Sequence, residues 1–324
     1  MGRVDQAAHT STCTNTTTPP NLWQACSRGM ELFATGFNAW NQLSFEKDME
    51  SNQSGYPADV EQLTRILSRD AIEHLYASLS CTVVKTEKGD VSAGYPDEWM
   101  EVEDLREKII FTASDTEGYI SQFQSADHFR DGKAQWHFPG LRVIQTVAYE
   151  AGFAALTAEG QVWTWGDERY GACLGREVTE DSPAERPCRV MELDDLPTGK
   201  IVKIAAGGYL LMALTEGNDV YAWGGHPGQP AILEEVSRSP APVVVEDSDI
   251  ADCAVGESHA VLLTVEGDIF AIGVNTNGQL GLPGETRTSW TKLPFDAEAG
   301  LAASAVFCGP RNTFVLARKD FNAS

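Results

Sequence analysis

Apolar residues fall in short runs along this chain, each pair of runs joined by a polar turn and closed by glycine. The pattern is clearest in "HAVLLTVEGDIFAIG" (259–273), "FAALTAEGQVWTWG" (153–166) and "LLMALTEGNDVYAWG" (210–224). A weaker copy is "CTVVKTEKGDVSAG" (81–94), and the weakest is "IIFTASDTEGYISQF" (109–123). Each reads as an apolar strand, a turn carrying Thr, Glu and Gly, and a second apolar strand. The β-branched and aromatic residues of the runs suit a pleated, buried surface. Gly89, Gly160, Gly217 and Gly267 are expected to take positive φ in the tight turn.

A second glycine turn follows each unit, as in "NTNGQLG" (275–281), and another apolar piece precedes it, as in "IVKIAAGG" (201–208) and "IADCAVG" (250–256). One unit therefore holds about four short strands, as a propeller blade does. The strand-closing glycines Gly94, Gly166, Gly224 and Gly273 are 72, 58 and 49 residues apart, and repeats near 50 residues indicate a propeller or an array. Gly36 closes a further unit, in "MELFATGFNAWNQL" (30–43), which has a second half and no first. "AASAVFCGPRNTFVLARKD" (302–320) is a first half with no second. Pairing the two completes one blade and closes a ring, whereas a linear stack leaves both halves as exposed edges. The reading is all-β: one propeller of six or seven four-stranded blades over 29–320, closed by its N- and C-terminal strands, with a degenerate region at 97–140. Residues 1–28, rich in Thr, read as a flexible tail. Within "DVEQLTRILSRDAIEHLYASL" (59–79), apolar residues at 60, 63, 66, 67, 72 and 75 have helical spacing, which predicts a helix packed on the ring whose tail becomes a strand.

Charge narrows the function. The 324 residues carry 24 Lys and Arg against 47 Asp and Glu, a net charge of −23. No basic run is present, so direct nucleic-acid binding and attraction to anionic lipid are not expected. No apolar stretch reaches the length of a membrane helix. Seven scattered cysteines without a Cys-x-x-Cys pair read as thiols in a reducing compartment, nuclear or cytoplasmic rather than secreted.

"HAVLLTVEGDIFAIGVNTNGQLGL" (259–282) closely resembles the repeat of the regulator of chromosome condensation family, and the resemblance runs from about 29 to 320, weakest between 95 and 140. "ELFATGFNAWNQL" and "CGPRNTFVLA" further resemble the short, single-propeller type within it. The resemblance implies seven blades and a role in binding. It marks Gly36, Gly94, Gly166, Gly224, Gly273, Gly278 and Gly281 as structural repeat positions. The founding type is an exchange factor for the small GTPase Ran; the short type partners a JmjC-type histone demethylase. This chain departs from the founding type in its acidity, its short blades and its lack of a basic tail, and no exchange residues map onto it.

No constellation for catalysis emerges. His259, in Gly-Glu-Ser-His, reads as a packed structural histidine, and His74, His128, His137 and His226 stand apart from any ligand partner. "GGHPGQP" (224–230) lacks the Lys-Ser/Thr of a phosphate loop. No catalytic residue, metal or cofactor is expected. Loops after the closing glycines fall on one face by repetition. Phe37, Asn38 and Trp40, Asp167, Glu168, Arg169 and Tyr170, His226, and Asn275, Thr276 and Asn277 are candidate contacts for another protein, with Trp99, Trp136 and His137 of the irregular segment. For each residue singly, packing at a blade edge is the alternative. The expectation is a non-enzymatic, monomeric scaffold for a histone-modifying enzyme; the rival is an exchange factor for a Ran-like GTPase.

Overall fold

The computed structural model describes residues 29–45, 57–95, 111–114, 120–123, 131–133, 136–138, 142–234, 236–295 and 300–319. The expected tail at 1–28 and Trp99 lie outside them. The strands are β1 (Met30–Gly36), β2 (Val60–Arg69), β3 (Ile72–Ala77), β4 (Cys81–Thr86), β5 (Gly89–Gly94), β6 (Phe111–Ser114), β7 (Ile120–Phe123) and β8 (Trp136–Phe138). They continue with β9 (Val143–Tyr149), β10 (Gly152–Thr157), β11 (Val162–Gly166), β12 (Cys188–Arg189), β13 (Ile201–Gly207), β14 (Leu210–Thr215), β15 (Val220–Gly224) and β16 (Ala241–Val243). The last six are β17 (Ile250–Val255), β18 (His259–Thr264), β19 (Ile269–Val274), β20 (Thr286–Lys292), β21 (Leu301–Gly309) and β22 (Asn312–Lys319).

Among the described residues these form six antiparallel sheets. Sheet I is β21-β22-β1-β2, II is β3-β4-β5, III is β6-β7-β8, IV is β9-β10-β11-β12, V is β13-β14-β15-β16 and VI is β17-β18-β19-β20. Sheet I is the expected closure: β1 pairs with β22 from Met30 opposite Arg318 to Gly36 opposite Asn312. Four sheets have the expected four strands. Sheets II and III have three each, and the segments after them lie largely outside the described residues. Sheet III arises where the pattern was weakest, within 97–140.

Among the described residues, hydrophobic cores fill the spaces between four pairs of neighbouring sheets. Leu156, Val162, Leu211 and Trp223 pack IV on V; Met212, Val220, Leu262 and Phe270 pack V on VI. Val261, Ile269, Val306 and Val315 pack VI on I; Leu32, Leu67, Val84 and Phe314 pack I on II. Sheet III joins IV through the Trp165 indole N–H, which donates to Gln122 Oε1 at 2.9 Å.

The 59–79 segment is not helical: it forms β2 and β3. Leu67 pairs with Leu32 but Arg65 with Phe33, so Ile66 is an inserted residue, and more are inserted between Thr64 (opposite Ala34) and Val60 (opposite Gly36). Each bulge resets the two-residue alternation of a strand. Leu63 and Leu67 thereby reach two different inter-sheet cores at an interval that imitates a helix.

The repeat's chemistry is local. At the hairpin Thr157–Gln161, the Thr hydroxyl accepts the Gln161 N–H at 3.2 Å; Thr215 and Thr264 do the same for Asp219 and Asp268 at 3.0 and 3.1 Å. Gly160 and Gly267 take φ of 85° and 92°. Gly217 does not take positive φ: its neighbour Asn218 occupies the equivalent position at 69°, because the Thr-to-turn spacing, not the glycine, sets which residue is left-handed. The closing glycines have a different reason. A Cβ on Gly36, Gly94, Gly166, Gly224 or Gly273 meets a carbonyl oxygen at 2.1–2.4 Å, those of Arg311, Ser80, Ala151, Tyr209 and Ser258 in turn. The next residue's N–H (Phe37, Tyr95, Asp167, Gly225, Val274) donates to that same carbonyl in every case.

His259 is fully buried, with Nε2 3.1 Å from the Thr313 hydroxyl across the VI–I boundary. Burial pushes its pKa down to about 4.

Two predictions follow from these contacts. Gly273→Ala is expected to cost at least ~3 kcal/mol in urea unfolding, since φ and the Ser258 carbonyl both oppose a side chain. Asn218→Gly should change stability by less than about 1 kcal/mol, and equal losses in the two variants contradict this account. The buried imidazole is neutral when folded but binds a proton near pH 6.5 when unfolded, so stability must fall as pH drops from about 6.5 to about 4. The loss is roughly 3 kcal/mol over that window. Urea midpoints at pH 7 and pH 4.5 should show a shallower drop for His259→Gln than for the natural chain; parallel drops would exclude His259 as the source.

Candidate partner-binding face

The turn between first and second strands and the segment after the third emerge together on one face, held by the carbonyl contact just described. There the sequence Asn-x-x-x-Gln-Leu occurs twice, at 38–43 and 275–280. Asn38 Oδ1 accepts the Leu43 N–H at 3.0 Å and Asn275 Oδ1 that of Leu280 at 2.7 Å. Gln42 and Gln279 accept the N–H of Trp40 and Asn277 at 3.0 and 2.9 Å. Both asparagines are buried, so their side chains close loops and do not face outward. The Asp59 carboxylate joins the two loops, accepting from Asn38 N–H and Asn277 Nδ2, each at 2.9 Å.

Closing the loops inward with amides leaves the aromatic residues outside. Trp40 is 48% exposed and meets Tyr95, 63% exposed, edge to face with centroids 6.3 Å apart. Leu79, exposed at the β3–β4 turn, lies beside them: its carbonyl accepts from Gln42 Nε2 at 3.0 Å. Phe37 is half-buried, and its carbonyl accepts from Asn312 Nδ2 at 2.6 Å.

A second centre sits on sheets IV and V. Tyr170 lies 5.1 Å from Tyr209 and 5.4 Å from His226, and Tyr209 and His226 are 4.6 Å apart. Burial, then the hydrogen bond with Tyr170, pushes the Tyr209 phenol up to about 12, so it is neutral at physiological pH. Asp167 caps the short 3-10 segment Glu168–Leu174 by accepting the Arg169 N–H at 2.9 Å, and also grips the guanidinium, with Nε at 2.9 and 3.0 Å. Arg169 is thereby held over the Tyr170 ring at 5.8 Å, and the hydrogen bond to Asp167 raises its pKa further. Trp136 and His137 stand on β8 in sheet III. Glu168 and Thr276 are exposed on the same loops.

Tyr95, Leu79 and Tyr209 were missed by the sequence reading. Tyr95 had a signal, because it follows closing Gly94 as Phe37 follows Gly36. Among the described residues, no group of three or more His, Cys, Asp or Glu is placed to hold a metal, and no helix is long and apolar enough to cross a membrane. The five described cysteines are free thiols.

Comparison with known proteins agrees with this architecture. The family model of the regulator of chromosome condensation (RCC1) repeat matches residues 159–214 and 266–316. The mouse regulator of chromosome condensation is 34% identical over 143 residues, 43% of this chain and 32% of that protein. The human probable E3 ubiquitin-protein ligase HERC3 is 34% identical over 131 residues, 39% of this chain and 12% of that protein. The chain thus spans at most about a third of these relatives. Among solved structures, Prp20p from Saccharomyces cerevisiae superposes with a TM-score of 0.56 at 14% identity, covering 93% of this chain and 94% of that one. Human WBSCR16 gives 0.54 at 18% identity over 91% and 86%. The chain folds as a β-propeller, and its residues 159–214 and 266–316 match the regulator of chromosome condensation repeat.

Proposed function

We propose that this protein is a non-enzymatic scaffold that captures another protein on its loop face, in the nucleus or cytoplasm. The observation that carries the reading is the exposed Trp40–Tyr95 pair beside Leu79, on loops whose polar side chains are bonded inward. Large apolar residues grouped on a rigid surface mark interaction sites, and Trp and Tyr are the usual anchors. The resemblance to the short propeller type favours a chromatin-modifying oxygenase as the partner. A second reading, nucleotide exchange on a Ran-like GTPase, is favoured by the match to the mouse regulator of chromosome condensation and by the superposition on Prp20p, whose structure is reported with binding to Gsp1p and histones.

Affinity capture of the tagged protein from its own cells, with Trp40→Ala/Tyr95→Ala and Arg169→Ala/Tyr170→Ala as controls, tests both. The first double variant should lose the partner at least tenfold while its melting temperature stays within about 2 °C, because exposed side chains contribute little to folding. Undiminished capture by both folded variants contradicts the loop-face reading. Recovery of a GTPase, with accelerated release of fluorescent GDP on adding the purified chain, replaces the scaffold reading with exchange.

A further inference from the structure

We propose that the outer rim of the ring carries a second docking groove, between sheets V and VI, that takes a short peptide with an apolar anchor flanked by lysine or arginine. The inner strands of adjacent sheets touch, with Gly207 packed against the Gly256 backbone, so the outer strands must diverge. Between β16 and β20 the divergence leaves a cavity of about 370 Å³. Its apolar lining includes Leu233, Val236, Val243, Val244, Ile272 and Trp290. That volume lies at the lower end of the range of ligand pockets, enough for one or two large side chains.

Three features define the occupant. Pro242, at the centre of β16, denies the edge a backbone donor, so a further strand does not add readily and recognition falls to side chains. Val244 is 70% exposed at the groove and offers apolar surface for an anchor to cover. Two carboxylates, Glu234 and Glu246, line the groove, and among the described residues no lysine or arginine lines it.

The backbone holds Glu246 there against its own preference. Glu246 and Asp247 are consecutive non-glycine residues at φ of 50° and 55°, in a turn closed by the Ser248 N–H donating to the Val245 carbonyl at 2.9 Å. Left-handed conformations cost about 1–2 kcal/mol for each L-residue. A strained turn that keeps a carboxylate on the lip of an apolar groove fits a cationic flank on the ligand. The net charge of −23 draws such a peptide in from a distance. This surface is separate from the loop face and does not depend on it.

The test is to pan a phage-displayed library of random dodecapeptides on the immobilised full chain, with the Val244→Glu chain as counter-selection. Recovered peptides are then titrated by fluorescence anisotropy. They are expected to share an apolar residue with Lys or Arg within about three positions. Val244→Glu should weaken them at least tenfold. Glu234→Gln/Glu246→Gln should weaken them several-fold and flatten the salt dependence, whereas Trp40→Ala should leave them unchanged. Because residues 234, 244 and 246 are all exposed, these variants are expected to keep the melting temperature of the natural chain. The proposal is overturned if no peptide distinguishes the natural chain from Val244→Glu. Recovery of neutral or acidic sequences, or binding indifferent to the double carboxylate variant, also overturns it.

Discussion

The ring depends on an irregularity repeated in its innermost strands. In β3, β9, β13, β17 and β21 the register slips by one residue, with Glu73, Ile144, Val202, Ala251 and Ser304 inserted in turn. The residue after the bulge can then reach sideways to the neighbouring sheet. Gln145 pairs with both the N–H and the carbonyl of Ile204, at 2.9 and 2.8 Å. Asp252 binds the Lys203 ammonium of sheet V on one side and accepts the Val306 N–H of sheet I at 3.0 Å on the other. Burial opposes the charge on Lys203, but the Asp252 carboxylate, together with Cys253 and Cys308, raises its pKa overall. Asp252 thus ties three sheets at once. Removing one partner of such a buried pair typically costs about 3–5 kcal/mol, because the other charge is left uncompensated.

These polar links explain how short sheets form a rigid object. A lone sheet of four short strands has two apolar faces and no means of fixing its orientation to a neighbour. Apolar packing between sheets is strong but non-directional. The stitches at Gln145 and Asp252 supply direction and fix the angle between sheets. The β1–β22 pairing then makes the arrangement cyclic, so that opening the ring requires breaking seven residues of ladder as well as the two adjoining cores. His259 and Thr313 sit on that boundary, where a proton on the imidazole would have no solvent to stabilise it.

Much of this was legible in the sequence, for reasons specific to each element. The closing glycines stood out because a carbonyl needs the space a Cβ would fill, and no other residue meets that need. Ring closure was legible because two half-units at opposite ends of the chain complete one another. The bulges were not legible: an inserted residue leaves no compositional mark, and in β2 it turned strand periodicity into a false helical one. The loop face was legible as a location but only partly as chemistry. Asn38 and Asn275 look like surface residues in the sequence, yet the Asn-x-x-x-Gln-Leu geometry turns both amides inward. The Trp40–Tyr95 contact joins residues 55 positions apart and exists only because two adjacent sheets place equivalent loops side by side.

That division of labour between residue types bears on function. Backbone groups are consumed by the sheets, and the amides and carboxylates of the loops are consumed by loop closure at Asn38, Asn275, Asp59 and Asp167. Among the described residues, the exposed large side chains that close no loop include Trp40, Leu79 and Tyr95 on the face and Val244 on the rim. Surface residues that do no structural work and are nonetheless large and apolar expose area to water that folding does not require. Loops closed by their own amides, and in the case of 38–43 and 275–280 joined through Asp59, can present such residues at fixed positions with little conformational entropy left to lose when they are covered.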